Sequence, residues 1–145
     1  MKNEILLGKP NNGWVEIRIG DFKCEASYLS NIPFDTLNSA IASLENNIPF
    51  NLNIELEKEG EAFITSFYKY TYVIHEDGEI NNAKLYRYNI NFKDIILQFV
   101  SEIKKNANKW SVWDGNKIWD NKKEIEKSKI ELLEKINKVE NLLKN

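Results

Sequence analysis

The two most reactive side chains in this sequence are its single histidine, His75, and its single cysteine, Cys24. A metal site built on His75 would need carboxylates for every other ligand, and Glu76 and Asp77 follow it directly instead of standing one helical turn away. The dipeptide Asp77-Gly78 predicts that this segment enters a turn. Cys24 can act as a nucleophile only beside a base or a positive field. Neither residue therefore predicts a catalytic site.

The sequence also contains no recognisable pattern for phosphate binding or for glycoside hydrolysis. The six glycines are scattered, and the segment LGKP at 7–10 has neither the preceding glycine nor the Ser/Thr of a phosphate-binding loop. The 22 Asp and Glu residues supply many carboxylates, but no spacing selects a pair for general acid–base work. We expect a protein that is not an enzyme and has no metal and no cofactor. An unrecognised carboxylate site is the catalytic alternative.

Tyrosines are the first candidates for binding a partner. Three have period-two spacing and two more fall on the next predicted strand; they are Tyr68, Tyr70, Tyr72, Tyr86 and Tyr88. Such residues can form a cross-strand ladder, a protein interface, or a platform on which bases stack. Base-stacking platforms normally lie in a basic groove, whereas Lys69, Lys84 and Arg87 are balanced here by nearby acids. The pattern favours sheet packing first and a protein interface second.

Tryptophans are the second group, since the segment 109–120 holds three of the chain's four. If Asp114-Gly115 forms a tight hairpin loop, Trp110 faces Trp119. If the preceding helix continues instead, Trp110 and Trp113 lie on adjacent turns. In either case the segment connects two amphipathic helices and is expected to fasten them to the domain. Two tryptophans, Trp14 and Trp113, are added to the candidate partner contacts.

The first element that can position these residues is a hairpin at 14–29. With Gly20-Asp21 as a two-residue loop, Val15, Ile17 and Ile19 face apolar partners, among them Cys24. The other face pairs like charges, which the diagonals Glu16–Lys23 and Arg18–Glu25 can offset. Cys24 then points inward as an inert apolar side chain.

The remaining periodicity predicts alternating strands followed by helices. The expected elements are a helix at 34–47, strands at 50–56, 61–75 and 83–90, a helix at 91–107 opened by Asn91, and a C-terminal amphipathic helix at about 121–144. We therefore predict a single α+β domain over 1–145. Its expected architecture is an antiparallel curved sheet of about five to six strands, with helices packed mainly on one face.

Composition and charge exclude several classes of partner. The chain is 42% hydrophobic with a formal net charge of -2, so no basic field draws it to nucleic acid or to anionic lipid. The apolar stretches are too short for a signal peptide or a membrane span, and one cysteine cannot form an internal disulfide. A cytoplasmic location is expected. The abundance of Asn, Lys and Ile indicates AT-rich coding and a bacterial origin.

The segment GWVEIRIGDFKCEASYLSNIP resembles the opening of small uncharacterised bacterial proteins. The general make-up of the chain is similar to that of immunity proteins from polymorphic toxin systems, which are short, mildly acidic α+β proteins without catalytic residues. This resemblance implies a non-catalytic protein-binding module, with a toxin as the partner. The alternatives are a small-ligand or carbohydrate binder that uses the Trp/Tyr surface, and a structural subunit that forms a homodimer through the C-terminal helix.

Overall fold

A computed structural model describes residues 5–11, 13–56, 60–78, 82–111, 113 and 122–145. Within these residues the chain forms strands and helices in an α+β order. The strands are β1 (Ile5–Leu7), β2 (Trp14–Ile19), β3 (Phe22–Ser27), β4 (Phe50–Leu56), β5 (Gly60–Phe67), β6 (Tyr70–Glu76) and β7 (Ala83–Tyr88). The helices are α1 (Ile32–Asn46), α2 (Phe92–Lys105), α3 (Ala107–Trp110) and α4 (Lys122–Lys144).

The strands form two antiparallel sheets, ordered β1-β2-β3 and β4-β5-β6-β7. The prediction of one sheet of five to six strands is therefore wrong, although the α+β class is confirmed. The physical reason lies at β4, where serine hydroxyls replace a neighbouring strand. The N–H of Asn51 donates to Ser39 Oγ at 3.0 Å, and the N–H of Glu55 donates to Ser30 Oγ at 2.7 Å. Because these donors are already satisfied, the ladder does not continue from β3 to β4.

The first hairpin has the predicted register. Ile19 lies opposite Phe22 and Ile17 lies opposite Cys24, with the apolar residues buried. Of the two expected diagonal contacts, Glu16–Lys23 is present, since Lys23 Nζ lies 3.1 Å from Glu16 Oε1. Arg18 lies 3.2 Å from the same Glu16 oxygen, where a contact with Glu25 was expected. The hydrogen bond from Lys23 holds the pKa of Glu16 below its ordinary value. The two-residue turn and the one-sided apolar pattern were sufficient to specify this unit.

The two long helices with predicted apolar faces also form as expected. Helix α2 begins after Asn91, whose side-chain oxygen accepts the N–H of Lys93 at 2.9 Å. Helix α4 packs against α1 and α2. Its apolar positions Leu132 and Ile136 are fully buried within the chain. The stripe that a helix-mediated homodimer would use is thus already occupied by intramolecular packing.

A tyrosine at the end of β7 joins the two sheets. The Tyr88 hydroxyl donates to Asp21 Oδ1 at 2.5 Å and accepts the N–H of Phe22 at 3.0 Å. The ring also lies against the hairpin turn, because a Cβ added to Gly20 would fall 2.5 Å from it. One side chain therefore fixes the β2–β3 turn against the four-stranded sheet.

We expect Tyr88→Phe to lower the free energy of unfolding by about 1–3 kcal/mol, because the buried Phe22 N–H loses its acceptor. Tyr72→Phe is the matched control, since that tyrosine is exposed. Urea denaturation of both variants measures the difference. An equal, small cost for the two substitutions would contradict the joining role of Tyr88.

Ionisation of the Tyr88 phenol should make the stability difference between wild type and Tyr88→Phe depend on pH. The pKa of Tyr88 is raised above its ordinary value, first by burial and then by the hydrogen bond to Asp21. A raised pKa stabilises the folded state only while the phenol is protonated, so wild-type stability falls as the pH rises above about 10. The stability gap between wild type and Tyr88→Phe should narrow over that range.

Candidate functional site

The most distinctive surface is the outer face of the four-stranded sheet, which we define as the side opposite the core. Alternate residues of β4 to β7 form it in three cross-strand rows. The rows are Asn51, Thr65, Tyr72 and Arg87; Asn53, Phe63, Ile74 and Leu85; and Glu55, Glu61, Glu76 and Ala83. All of these residues except the half-buried Phe63 are exposed. The opposite side holds the core residues, so the helices leave the outer face open.

The middle row of the outer face is apolar. Phe63 lies opposite Ile74, and Ile74 lies opposite Leu85. Ile74 is 41% exposed and Leu85 is 62% exposed, the largest value among the large apolar side chains that the structure describes. Single exposed apolar residues are ordinary, but a row across three adjacent strands is a contiguous patch. Patches of this kind mark sites where proteins bind one another.

The third row is acidic. Glu61 lies directly opposite both Glu55 and Glu76, so three like charges are neighbours across three strands. Directly opposed like charges destabilise a sheet. Within the described residues no cation pairs with any of these carboxylates. This acidic row beside the apolar row gives the outer face its chemical character.

Of the five tyrosines predicted to contact a partner, Tyr72 lies on the outer face, Tyr70 lies beside it, and Tyr68 lies at its end. Tyr72 belongs to the first row, and Tyr70 continues the same side of β6 with Arg87 over its ring at 5.1 Å. Tyr68 is not part of a strand. It lies in the two-residue turn between β5 and β6 with φ at +50°. Its carbonyl accepts the N–H of Phe92 at 2.9 Å, so this turn holds the beginning of α2.

The two remaining tyrosines face the other way. The register sets Tyr86 opposite Val73 and Tyr88 opposite Thr71, on the side of β7 that packs toward the core. Tyr86 is half-buried against Phe22, with ring centroids 5.3 Å apart, and Tyr88 is buried. Their predicted place on one surface with Tyr70 and Tyr72 is corrected by this register. Tyr88 is a packing and joining residue.

The candidate tryptophans are also separated. Trp14 is exposed at the end of β2, in the other sheet. Trp113 is buried, and its Nε1–H donates to the carbonyl of Ser30 at 2.7 Å. Trp113 is therefore an internal residue and does not form a surface contact. Its ring lies 5.1 Å from that of Trp110. The chain is helical only to Trp110 and Trp113 lies outside a helix, so the predicted continuation of the helix through Trp113 is wrong. Trp119 and the segment Asp114-Gly115 lie outside the described residues.

The reactive side chains do not assemble into a site. Cys24 is buried opposite Ile17, as the hairpin pattern predicted. His75 lies in β6 between Ala62 and Lys84, with its ring 5.9 Å from that of Phe22. In the part of the chain that the structure describes, no three His, Cys, Asp or Glu residues converge in a way that could hold a metal ion.

An open cleft lies beside the β5–β6 turn, between Tyr70, Phe92 and Asn47, with a volume of about 460 Å³. Its lining mixes aromatic, amide and lysine side chains. It borders the end of the outer face and does not form an enclosed cavity of the kind that surrounds a small ligand.

Sequence reasoning missed Ile74, Leu85 and the acidic row. The available signal was that β6 carries apolar residues on both of its sides, with Val73 inward and Ile74 outward. A single apolar residue on the solvent side of a strand is ordinary, but such residues on neighbouring strands form a contiguous patch. The acidic row depended on pairing across three strands, which local patterns do not give.

Comparison of the chain with known protein families, with curated proteins and with solved structures found no match. None of the described helices combines the length and the apolar character needed to cross a membrane.

Proposed function

We propose that this chain is a non-catalytic protein-binding module and that its docking surface is the outer face of the four-stranded sheet. The proposal rests on the apolar row of Phe63, Ile74 and Leu85, which lies on a sheet face that none of the described helices covers. Four strands about 4.8 Å apart, with six to eight residues each at about 3.4 Å, present about 400–500 Å². That is a substantial part of the about 800 Å² that each partner contributes to a standard interface.

The acidic row specifies the partner's chemistry. Glu55, Glu61 and Glu76 pay an electrostatic cost in the free chain that a basic partner would relieve. We expect apolar contacts at the centre of the interface and Lys or Arg residues of the partner opposite the acidic row. Charge complementarity of this kind accelerates encounter and selects partners.

Neutralisation of a toxin is the particular form of this function that we propose. It is supported by the resemblance of the first hairpin and of the general make-up to immunity proteins, and by the acidic row, which suits a basic toxin. A partner captured from the native cell should arrest growth when it is expressed alone, and growth should recover when this chain is co-expressed. A captured partner without toxicity would retain the docking surface but refute this particular role.

We expect Ile74→Glu to weaken binding of the purified partner about 100-fold, because it places an unpaired charge at the centre of the apolar row. Ile130→Glu is the matched control, since Ile130 is 53% exposed on α4. Isothermal titration calorimetry gives both affinities, and thermal melting should show that both variants remain folded. Equal affinities would place the docking surface elsewhere.

The contribution of the acidic row to partner binding can be measured separately with the variant Glu55→Gln/Glu61→Gln. This variant should slow association and flatten its dependence on salt while changing dissociation little. Stopped-flow measurements at two salt concentrations test it. An unchanged association rate would show that the acidic row does not face the partner.

A further inference from the structure

The two edges of the four-stranded sheet are different. At β4 the hydroxyls of Ser39 and Ser30 accept outward backbone N–H groups, as described above. At β7 the backbone of Ala83–Tyr88 is hydrogen-bonded only to β6, within the described part of the chain. An edge strand with free backbone groups is a template for a further strand. The β7 edge is therefore the place where this sheet can be extended.

The usual protections of an edge strand are weak at β7. The strand contains no proline, and its pairing with β6 runs without interruption from Ala83 to Tyr88. Its central residue, Leu85, is the highly exposed member of the apolar row. Lys84 is the type of residue that guards an edge, but its ammonium lies 4.7 Å above the ring of Tyr86. The edge is left open at its most apolar point.

We propose that two copies of this chain pair through β7, antiparallel and centred on Leu85, to form one continuous sheet of eight strands. In this register Leu85 lies opposite its own copy, and Lys84 lies opposite Tyr86 of the second copy. Arg87 lies opposite Ala83 of the second copy. Because Ala83 pairs with Glu76, the arginine can reach over the small alanine side chain to that carboxylate.

The charges on β6 and β7 favour a second copy of this chain as the partner at the β7 edge. In the paired sheet the backbones of Arg87 and the second copy's Glu76 are two strands apart, about 10 Å, a distance that these two side chains together span. The two-fold axis creates the ion pair twice. The Arg87 guanidinium would leave the Tyr70 ring and pair with the Glu76 carboxylate of the second copy. No cation among the described residues pairs with that carboxylate. A register shifted by two residues toward the start of the strand would instead place Lys84 opposite its own copy, which like charges disfavour.

This dimer goes beyond the proposed function and leaves the apolar row, Glu55 and Glu61 free, while Glu76 pairs with Arg87 of the second copy. The symmetry axis runs perpendicular to the sheet, so the outer faces of the two copies join side by side. The two apolar rows then become one row that crosses the six central strands of the eight. The dimer therefore doubles the proposed docking surface instead of covering it.

The test is the mass of the purified chain in solution. Light scattering coupled to size exclusion, at 10–1000 μM loading (roughly the range of a weak interface), should show a mass rising toward twice the 17.0 kDa of one chain. Arg87→Glu and Glu76→Arg should each weaken dimerisation at least tenfold, and the double variant should restore it. Glu55→Arg, in the same acidic row but far from β7, should leave the dimer intact. Hydrogen exchange should show alternate β7 amides protected only at high concentration.

Three other outcomes would each refute the proposed dimer. A monomer throughout the range refutes it, and so does a dimer that neither charge reversal weakens, which would place the contact elsewhere. Protection of β7 amides only after a different protein is added would show that a segment of that protein extends the sheet. Ile74→Glu separates the two proposals, because it should weaken partner binding about 100-fold and leave the mass of the dimer unchanged.

Discussion

Trp110→Ala should lower the free energy of unfolding by about 3–5 kcal/mol, the range for truncating a buried tryptophan. Trp110 is 1% exposed and closes α3, where its ring contacts Trp113. Trp113 in turn is hydrogen-bonded to Ser30, at the connection between β3 and α1. Removing the indole thus leaves a cavity where α3 packs against α2 and α4. A fall in melting temperature of about 10–15 °C is expected by differential scanning calorimetry.

Two control variants separate packing from other effects. Trp14→Ala removes the same side chain from a position that is 44% exposed, and should cost about 1 kcal/mol or less. Trp110→Phe keeps a large ring and removes a buried Nε1–H that finds no acceptor among the described residues. It should therefore cost much less than Trp110→Ala. If Trp110→Ala melts like wild type but loses a partner, the tryptophan is a binding residue and its packing role is wrong.

Gly60→Ala should lower the free energy of unfolding more than the addition of a methyl group elsewhere in the four-stranded sheet. Gly60 opens β5 with φ at +87°, and an added Cβ would overlap the carbonyl oxygen of Glu76 and lie 2.6 Å from the nitrogen of Gly78. Left-handed backbone costs an alanine about 1–2 kcal/mol, and overpacking costs about 1–3 kcal/mol more. We expect the free energy of unfolding to fall by about 2–5 kcal/mol in urea denaturation.

Gly78→Ala is the matched control for this prediction. Gly78 also has a positive φ, at +57°, but an added Cβ would meet nothing closer than 3.9 Å. It should show the conformational cost alone, about 1–2 kcal/mol. If the two substitutions cost the same, the ends of β5 and β6 have more room than the structure shows. Because Gly60 adjoins Glu61, its substitution should also disturb the acidic row and weaken partner binding.

Local signals were enough for the units whose pairing depends on neighbouring residues. The Gly20-Asp21 turn and the alternation on either side specified the first hairpin completely. The 3.6-residue period and Asn91 specified α2. In both cases the residues that decide the structure lie within one turn or one hairpin of each other.

The division into two sheets could not be read in the same way. It depends on Ser30 and Ser39, which lie 25 and 12 residues before the N–H groups they accept. Nothing in the neighbourhood of either serine indicates that role. The turn at Tyr68-Lys69 was hidden for a different reason, since it contains no glycine, proline or asparagine. The segment 61–75 therefore resembled one strand with three tyrosines on one side.

The candidate surface was only partly predictable for the same physical reason. Tyr70 and Tyr72 follow from period two within β6, but the side on which Tyr86 lies depends on the register between β6 and β7. The connection between these strands is longer than a two-residue loop, so turn chemistry does not specify that register. A shift of one residue would exchange the inward and outward side chains of the whole strand.

The serine hydroxyls at β4 also limit how far the chain can assemble. A sheet with two open edges can join head to tail, with β4 of one molecule against β7 of the next, and such contacts do not close. Filaments would then grow without limit. Ser30 and Ser39 accept two of the N–H groups that β4 would need for such growth, and β3 and α1 pack beside the strand. We expect Ser30→Ala/Ser39→Ala to be the variant of this protein that polymerises.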